Sequence, residues 1–142
     1  MEDARVARPE PFTIDVADEI VDDLRARIRR TRWPDQVPGV GWDQGTELDY
    51  LRRTLEYWAD GFDWRARERE LNSFAHFRAD VDGAGVHFVH ERARDGRAGI
   101  PLLLQHGWPS SFVEYLPLVP LLTDPAAHGT TRLCMCTASL HT

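Results

Sequence analysis

The spacing of apolar residues predicts a helix near the start of the chain. From Ala17 to Arg30 they recur at helical spacing, at Ile20, Leu24 and Ile28. Acidic residues come early in this segment and arginines late, an order that suits the helix dipole. Residues 12–16 alternate apolar and polar side chains, which predicts a short strand or an extended arm before the helix.

Two further helices are predicted by the same kind of spacing. The second follows a capping-box pattern at Thr46 and Asp49 and ends before Gly61. The apolar positions that we expect it to bury are Leu48, Leu51, Leu55 and Trp58. A third, short helix is predicted over Trp64–Leu71, with Asp63 as its N-cap. We therefore interpret residues 1–75 as a helical meander.

The period then changes to that of strands. Apolar residues alternate at Phe77, Ala79 and Val81, and the segment 82–85 has turn composition. Val86, Phe88 and Val89 lie on a return strand that runs to about residue 93, so the pattern predicts a hairpin. Residues 100–105 form a continuous apolar run, the pattern of a strand covered on both faces.

A helix and an irregular tail complete the prediction. Ser111 and Glu114 form a second capping-box pattern, and Pro117 and Pro120 should kink or restart the helix that it opens. Residues 76–125 thus combine strands with a helix, which indicates an α/β fold. Over residues 126–142 neither period is sustained, so we expect an irregular, disordered tail.

Composition excludes several function classes. A chain of 142 residues corresponds to about one domain, and a net charge of -6 offers no basic surface for nucleic acid. No run reaches the roughly 18 to 20 apolar residues that span a bilayer, and the charged start lacks the apolar core of a secretory signal. Cys134 and Cys136 lie too close together for an unstrained bridge, which favours a reducing compartment. We expect a cytoplasmic protein without nucleic-acid or membrane partners.

Two sets of residues resemble those of a known family. A buried strand that leads into His106-Gly107-Trp108-Pro109 and then a helix resembles α/β-hydrolases in general. The preceding meander resembles the N-terminal domain of epoxide hydrolases of the microsomal and juvenile-hormone type, and the resemblance covers roughly residues 11–125. The motifs that carry it there are Arg32-Trp33-Pro34, Tyr57-Trp58, Asp63-Trp64-Arg65 and Leu71-Asn72.

The resemblance implies a reaction and a site. The family adds water to an epoxide through an aspartyl ester and releases a diol, without a cofactor or metal. Negative charge builds on the ester carbonyl oxygen, and the resemblance implies that the amide of Trp108 is one of the donors that meet it. It also implies a cis bond before Pro109, an indole of Trp108 that lines the substrate pocket, and a His106 that anchors the loop by hydrogen bonding. Gly107 would let the backbone turn without a Cβ clash.

The remaining catalytic groups of such an enzyme have no place in these 142 residues. The family needs an aspartate nucleophile on a later elbow, a histidine base with an acidic partner, and lid tyrosines. We therefore interpret the chain as a truncated α/β-hydrolase fold from a shortened or frame-shifted reading, and expect it to be inactive alone. The small-molecule epoxide would be a substrate of the intact family.

Two other interpretations stay open, and three local patterns are set aside. The chain could be a non-catalytic interaction module whose open sheet edge, along residues 100–105, pairs with a partner or a second copy. It could also come from another α/β-hydrolase, such as a dehalogenase. Gly61-Phe62-Asp63-Trp64 imitates a nucleophile elbow but is better read as a helix cap. His87 and His90 point to opposite faces of a strand, and the two cysteines lack a tetrahedral ligand pattern, so no metal site is predicted.

Overall fold

The computed structural model describes residues 8–94, 100–129 and 135–141, the last range by its backbone alone. The chain divides into two compact units. One is helical and runs from Asp15 to Arg69, and the other contains the residues up to Ile14 together with those from Glu70 onward. Within the described ranges, no helix is both long and apolar enough to cross a membrane.

The helical unit contains the three predicted helices. They are α1 (Asp18–Arg29), α2 (Leu48–Glu56) and α3 (Trp64–Leu71), whose last two residues belong to the other unit, and a π-helical turn (Tyr57–Gly61) extends α2. Asp63 caps α3 as predicted, because its carboxylate accepts the amide of Ala66 at 2.9 Å. This contact also confirms that the elbow-like sequence around Asp63 is a helix cap.

Two details of these helices differ from the prediction. Glu47 caps α2 in place of Thr46, because its carboxylate accepts the amides of Asp49 and Tyr50. In addition, neither α1 nor α2 contains a fully buried residue, and Ile20 is 62% exposed. The apolar stripe of α1 has the predicted period, but within this unit its residues Ile20, Val21 and Leu24 border an open groove and not a closed core.

The second unit is built on a five-stranded sheet. Its strands, in chain order, are β1 (Glu10–Pro11), β2 (His76–Val81), β3 (Ala84–Glu91), β4 (Ile100–Leu104) and β5 (Met135–His141). The spatial order is β1-β2-β3-β5-β4, and all neighbours are antiparallel except β4 and β5, which are parallel. Among the described residues of this unit, the buried aliphatic side chains include those of Ala79, Val86, Val89, Leu116 and Val119.

The predicted hairpin is present and its turn is shorter than the turn-like sequence indicates. Val81 pairs directly with Ala84, so the loop consists of Asp82 and Gly83 alone. Both residues have positive φ, 52° and 86°, as a type I′ turn requires. The carboxylate of Asp80 accepts the amide of Gly83 at 2.8 Å and supports the turn.

The expectation of an irregular tail is wrong for Met135–His141. This segment is β5, and it lies between β3 and β4 with backbone pairing on both sides. Its place depends on two neighbouring strands and not on its own periodicity, which is why the sequence pattern missed it. Pro125–His128 also forms a short 3₁₀ helix. Residues 130–134 of the expected tail lie outside the described residues.

The segment after β4 also differs in detail. The chain forms a 3₁₀ helix over Phe112–Leu118 and then the short helix α4 (Val119–Thr123). The predicted restart of the helix is therefore present, but the part before it is 3₁₀ and not α-helical. Pro117 has no amide hydrogen to donate within an α-helix, and Pro120 stands at the start of α4, where a proline is tolerated.

The prediction that β4 is covered on both faces is wrong for this chain. Ile100 is 53% and Leu103 is 57% exposed, and these two residues lie on opposite faces of the strand. β4 is also the last strand in the sheet order among the described strands. An apolar run predicts that a strand will be covered, but the neighbours that cover it are a property of the tertiary structure.

Candidate functional site

The candidate site is the loop that leaves the carboxyl end of β4. The carbonyl of Gly107 accepts the amide of Ser110 at 2.8 Å, which closes a four-residue turn. The Trp108-Pro109 bond within this turn is cis, as the resemblance implied. A turn with a cis-proline at its third position is of type VI. His106, Gly107, Trp108 and Pro109 are therefore presented together at the end of one strand.

The backbone amide of Trp108 is the group in this loop that could take part in a reaction. It makes no hydrogen bond to any residue in the described part of the chain. Trp108 is also 95% exposed, so the amide lies open to solvent at the end of β4. An open backbone amide of this kind can donate a hydrogen bond to an oxygen of a bound molecule on which negative charge develops. The described residues do not enclose the indole, and its role in lining a pocket stays a prediction.

The steric reason predicted for Gly107 is not found. A Cβ built on this residue meets no atom within 4 Å, and its φ is not in the left-handed region. The described residues would therefore tolerate alanine at this position. A requirement for glycine would have to come from a group that approaches the loop from outside them.

His106 makes one of its contacts within the loop. Its Nδ1 lies 3.3 Å from the carbonyl oxygen of Gly107, to which a protonated Nδ1 can donate. The ring is half-buried beside the turn. This contact is local, and the anchoring role of His106 stays a prediction.

Sequence reasoning missed three side chains that contact this loop. The hydroxyl of Ser110 donates to Glu114 Oε2 at 2.6 Å, and the hydroxyl of Tyr115 donates to the carbonyl of Gln105 at 3.1 Å. The capping-box pattern predicts that Glu114 pairs with Ser111, and for Glu114 this prediction is wrong. Ser111 does cap the 3₁₀ helix by accepting the amide of Val113, but the Glu114 carboxylate binds Ser110.

The pKa of Tyr115 is raised above its ordinary value. The main cause is the partial burial of the phenol, and the negative charge and hydrogen bond of Glu114 add to it. The hydroxyl of Tyr115 therefore stays protonated, and so able to donate, throughout the neutral and moderately alkaline range.

A structural pair of histidines was also missed, in which His76 is buried and His87 is half-buried. His76 is 3% exposed, and its Nε2 donates to the carbonyl of Leu71 at 2.7 Å. Its Nδ1 lies 3.0 Å from His87 Nε2, so the two rings share a hydrogen bond across the hairpin. Both nitrogens of His76 are thus used inside the protein. Among the described residues no three potential ligands converge as a metal site would need.

The helical unit has one further concave feature, an open groove of about 360 Å³. Aromatic and aliphatic side chains line it, and its charged neighbours lie in ion pairs on the surface of α1. The residues that form its apolar wall are Val16, Ile20, Val21, Leu24, Trp58, Phe62 and Trp64. No polar groups converge there in a reactive arrangement, so the loop after β4 remains the candidate site.

Comparison with known families bears on this loop directly. Residues 9–115, which include the meander, β1 to β4 and the loop up to Tyr115, match the family model described as the epoxide hydrolase N terminus. The chain belongs to this family. The alternative of another hydrolase such as a dehalogenase is thereby set aside.

Relatives within the family are similar over most of this chain. A protein from Stigmatella aurantiaca that is provisionally assigned as an epoxide hydrolase is 46% identical over 119 residues, which cover 84% of this chain and 27% of the relative. Epoxide hydrolase 1 of Oryctolagus cuniculus is 39% identical over 122 residues, with the same two shares. The chain thus spans about a quarter of the length of the curated relatives that it matches.

A solved structure of the family has the same fold. Juvenile hormone epoxide hydrolase from Bombyx mori superposes with a TM-score of 0.83 at 29% identity, over 94% of this chain and 32% of that one. Aspergillus niger epoxide hydrolase superposes with a TM-score of 0.78 at 31% identity, over 94% and 35%. The helical unit and the sheet are therefore a mixed α/β arrangement that matches one region of these larger structures.

Proposed function

We propose that this chain supplies the N-terminal meander and one half of the oxyanion site of an enzyme that hydrolyses epoxides to diols. The observation that carries the proposal is the open amide of Trp108 at the carboxyl end of β4, within the segment that matches the epoxide hydrolase family. The sheet would then be the start of an α/β-hydrolase core. The parallel pair β4 and β5, joined through a loop and helices, supports that architecture.

The proposed role follows from the charge that the reaction develops. A carboxylate oxygen attacks an epoxide carbon, the carbon–oxygen bond of the ring breaks, and the ring oxygen takes a proton. Water then adds to the carbonyl carbon of the resulting ester, and the carbonyl oxygen becomes negative until the diol leaves and the carboxylate is restored. Trp108 would donate its amide to that oxygen. The carboxylate, the base and the proton donors would belong to the rest of such an enzyme.

A first test is the activity of the purified 142-residue chain with a styrene-type epoxide. We expect no turnover, because these residues contain no glycine-flanked aspartate elbow after Pro109. Diol formation that persists through further purification and is absent from a mock preparation would contradict the proposal.

A second test places the loop in a complete enzyme. A chimera would carry residues 9–125 of this chain in place of the matching region of Aspergillus niger epoxide hydrolase. We expect the folded chimera to hydrolyse the epoxide. Replacement of Trp108 by its α-hydroxy acid removes the amide hydrogen and keeps the indole, and should lower kcat by roughly 10² to 10³.

The control for that experiment is the same hydroxy-acid replacement at Trp42, an exposed tryptophan outside the loop whose backbone amide makes no hydrogen bond within the described part of the chain. A chimera that folds and binds the substrate but loses no rate on replacement at Trp108 would refute the role of this amide.

A second candidate function is that of an interaction module, favoured by the exposed edge of β4. Ile100 and Leu103 are both exposed, and β4 has no neighbour on its outer side among the described strands. Such an edge can pair with a strand from another chain. Light scattering at increasing concentration tests this: a defined dimer supports it, and a monomer at all concentrations counts against it.

A further inference from the structure

Two hydrogen bonds join the candidate loop to the 3₁₀ helix that follows it. Tyr115 donates to the carbonyl of Gln105, which lies between the end of β4 and His106. Glu114 accepts the hydroxyl of Ser110, the last residue of the turn that contains Trp108. Neighbouring residues of one helix therefore hold both ends of the loop.

The two contacts act on opposite sides of the Trp108 amide. Gln105 lies three residues before Trp108, and Ser110 lies two residues after it. The turn between them has one backbone hydrogen bond, from Ser110 to Gly107. An oxyanion donor must hold its direction to be useful, since a hydrogen bond weakens steeply as its angle departs from linearity. The loop itself provides little that would fix this direction.

The two bonds differ in strength and in surroundings. The bond from Ser110 to Glu114 ends on a carboxylate and is short, at 2.6 Å, as a charge-assisted bond is expected to be. Tyr115 is half-buried as a residue, and the raised pKa of its hydroxyl keeps it a donor. Leu116 and Val119 follow in the same segment and are buried, so the helix that carries the two residues is itself held in the core of the unit.

We propose that Tyr115 and Glu114 are positioning residues that fix the direction of the Trp108 amide by holding Gln105 and Ser110. We call these two residues and their hydrogen bonds to Gln105 and Ser110 the clamp. Its role in catalysis rests on the proposed function, but its effect on the loop is a property of the chain itself. It can therefore be tested without turnover.

The test uses the isotopically labelled 142-residue chain and NMR spectroscopy. Tyr115→Phe removes the hydroxyl that binds Gln105, and Tyr50→Phe is the matched control on an exposed tyrosine of α2. The rate of amide hydrogen exchange at Ser110 measures how often the turn opens. The backbone order parameter of Trp108 measures how rigidly its amide, the proposed donor, is held. We expect Tyr115→Phe to speed amide exchange at Ser110 by about 3- to 10-fold, because losing one hydrogen bond of typical net strength raises the population of the open turn by about that factor. We also expect it to lower the Trp108 order parameter, while Tyr50→Phe changes neither.

Conservative replacement separates positioning from general destabilisation at Glu114. Glu114→Ala removes the acceptor for Ser110 and should loosen the turn to a similar extent. Glu114→Gln keeps an amide oxygen at the same place and should retain most of the protection. Urea unfolding of each variant measures the global change, which we expect to be too small to account for the faster exchange at Ser110.

A spectroscopic signature identifies the tyrosine bond directly. The ¹³C shift of the Gln105 carbonyl can be followed to high pH by carbon detection, without reliance on amide protons. It should move in one step as Tyr115 ionises, above the ordinary tyrosine value of about 10. The step should be absent in Tyr115→Phe and present in Tyr50→Phe.

The results that would overturn the clamp differ from the results that would overturn the proposed function. Unchanged exchange at Ser110 and an unchanged order parameter at Trp108 in both Tyr115→Phe and Glu114→Ala would overturn the clamp, whatever the chimera does. If the clamp is found but the chimera is inactive, the positioning stands and the proposed reaction fails. If both hold, Tyr115→Phe in the chimera should lower kcat and leave KM nearly unchanged, because the effect is on a donor used in the transition state.

Discussion

Glu68 shows, at the scale of one residue, how hydrogen bonds and an ion pair compensate for the burial of a carboxylate. It is 8% exposed, and it accepts the amide of Val16 at 2.8 Å and the guanidinium of Arg65 at 2.6 Å. The backbone bond from Val16 is the main cause that lowers the pKa of Glu68, and Arg65 adds to it against the opposing effect of burial. Arg65 also pairs with Asp18 at the start of α1, so one network connects α1 and α3 within the helical unit.

We predict that Glu68→Gln removes a stabilising contribution that depends on pH. A carboxyl group with a lowered pKa in the folded state stabilises the protein fully above its unfolded value, about 4.3 for glutamate, and loses this contribution as the pH falls through the folded value. Wild type should therefore exceed Glu68→Gln in free energy of unfolding at pH 7, and the difference should shrink below about pH 4.3. Urea titrations from pH 7 to pH 3 measure it.

Glu56→Gln is the control for this comparison, because Glu56 is an exposed glutamate on α2. Its difference from wild type should be small at every pH. A difference at Glu68 that stays constant as the pH falls would contradict the role given to its charge.

At the scale of elements, the β2–β3 hairpin depends on its turn more than on its strands. Gly83 has a φ of 86°, which glycine adopts freely and other residues adopt only at a cost. The turn also sets the register that pairs His76 with Val89 and thus places both residues in the interior of this unit.

We predict that Gly83→Ala destabilises the chain by about 1 to 2 kcal/mol, because it forces an alanine into the left-handed region. Gly107→Ala is the matched control, since Gly107 has no positive φ and a Cβ there meets nothing within 4 Å. Its effect on stability should stay within about 0.5 kcal/mol. Thermal and urea unfolding of the two variants give the comparison, and equal losses in both would argue against the conformational explanation.

At the scale of the whole molecule, an acidic chain carries an apolar sheet edge. The net charge of -6 opposes association between copies, whereas the exposed side chains of Ile100 and Leu103 on β4 favour it. The charge repulsion is screened by salt, but burial of apolar surface is not.

We predict that the 142-residue chain associates with itself more strongly as salt is added, and that Leu103→Glu reduces this association. The added carboxylate would have to be buried in any pairing along β4. Leu118→Glu, at an exposed leucine of the 3₁₀ helix away from that edge, is the control and should leave association nearly unchanged. Sedimentation velocity at low and high salt measures the association constants. An equal reduction by both variants would show that β4 is not the interface.

The sequence by itself determined the local elements, and it pointed to the loop after β4 as the candidate site. Period, caps and turn residues were enough for α1 to α3, the hairpin and β4, because these depend on neighbours close in the chain. The cis bond before Pro109 was implied by the family resemblance, which His106-Gly107-Trp108-Pro109 and the meander carry, and the structure confirms it. The family followed from the same motif combined with the preceding meander.

Which strands pair and which side chains contact one another was decided only by the tertiary structure. β5 has no clear period of its own and becomes a strand because β3 and β4 lie on either side of it. The exposure of β4 depends on which neighbours the sheet provides, and the apolar run predicted the opposite. The bond from Tyr115 to Gln105 spans ten residues and exists because the chain turns back at the loop. Such contacts depend on distances in space, which the spacing of residues along a chain does not specify.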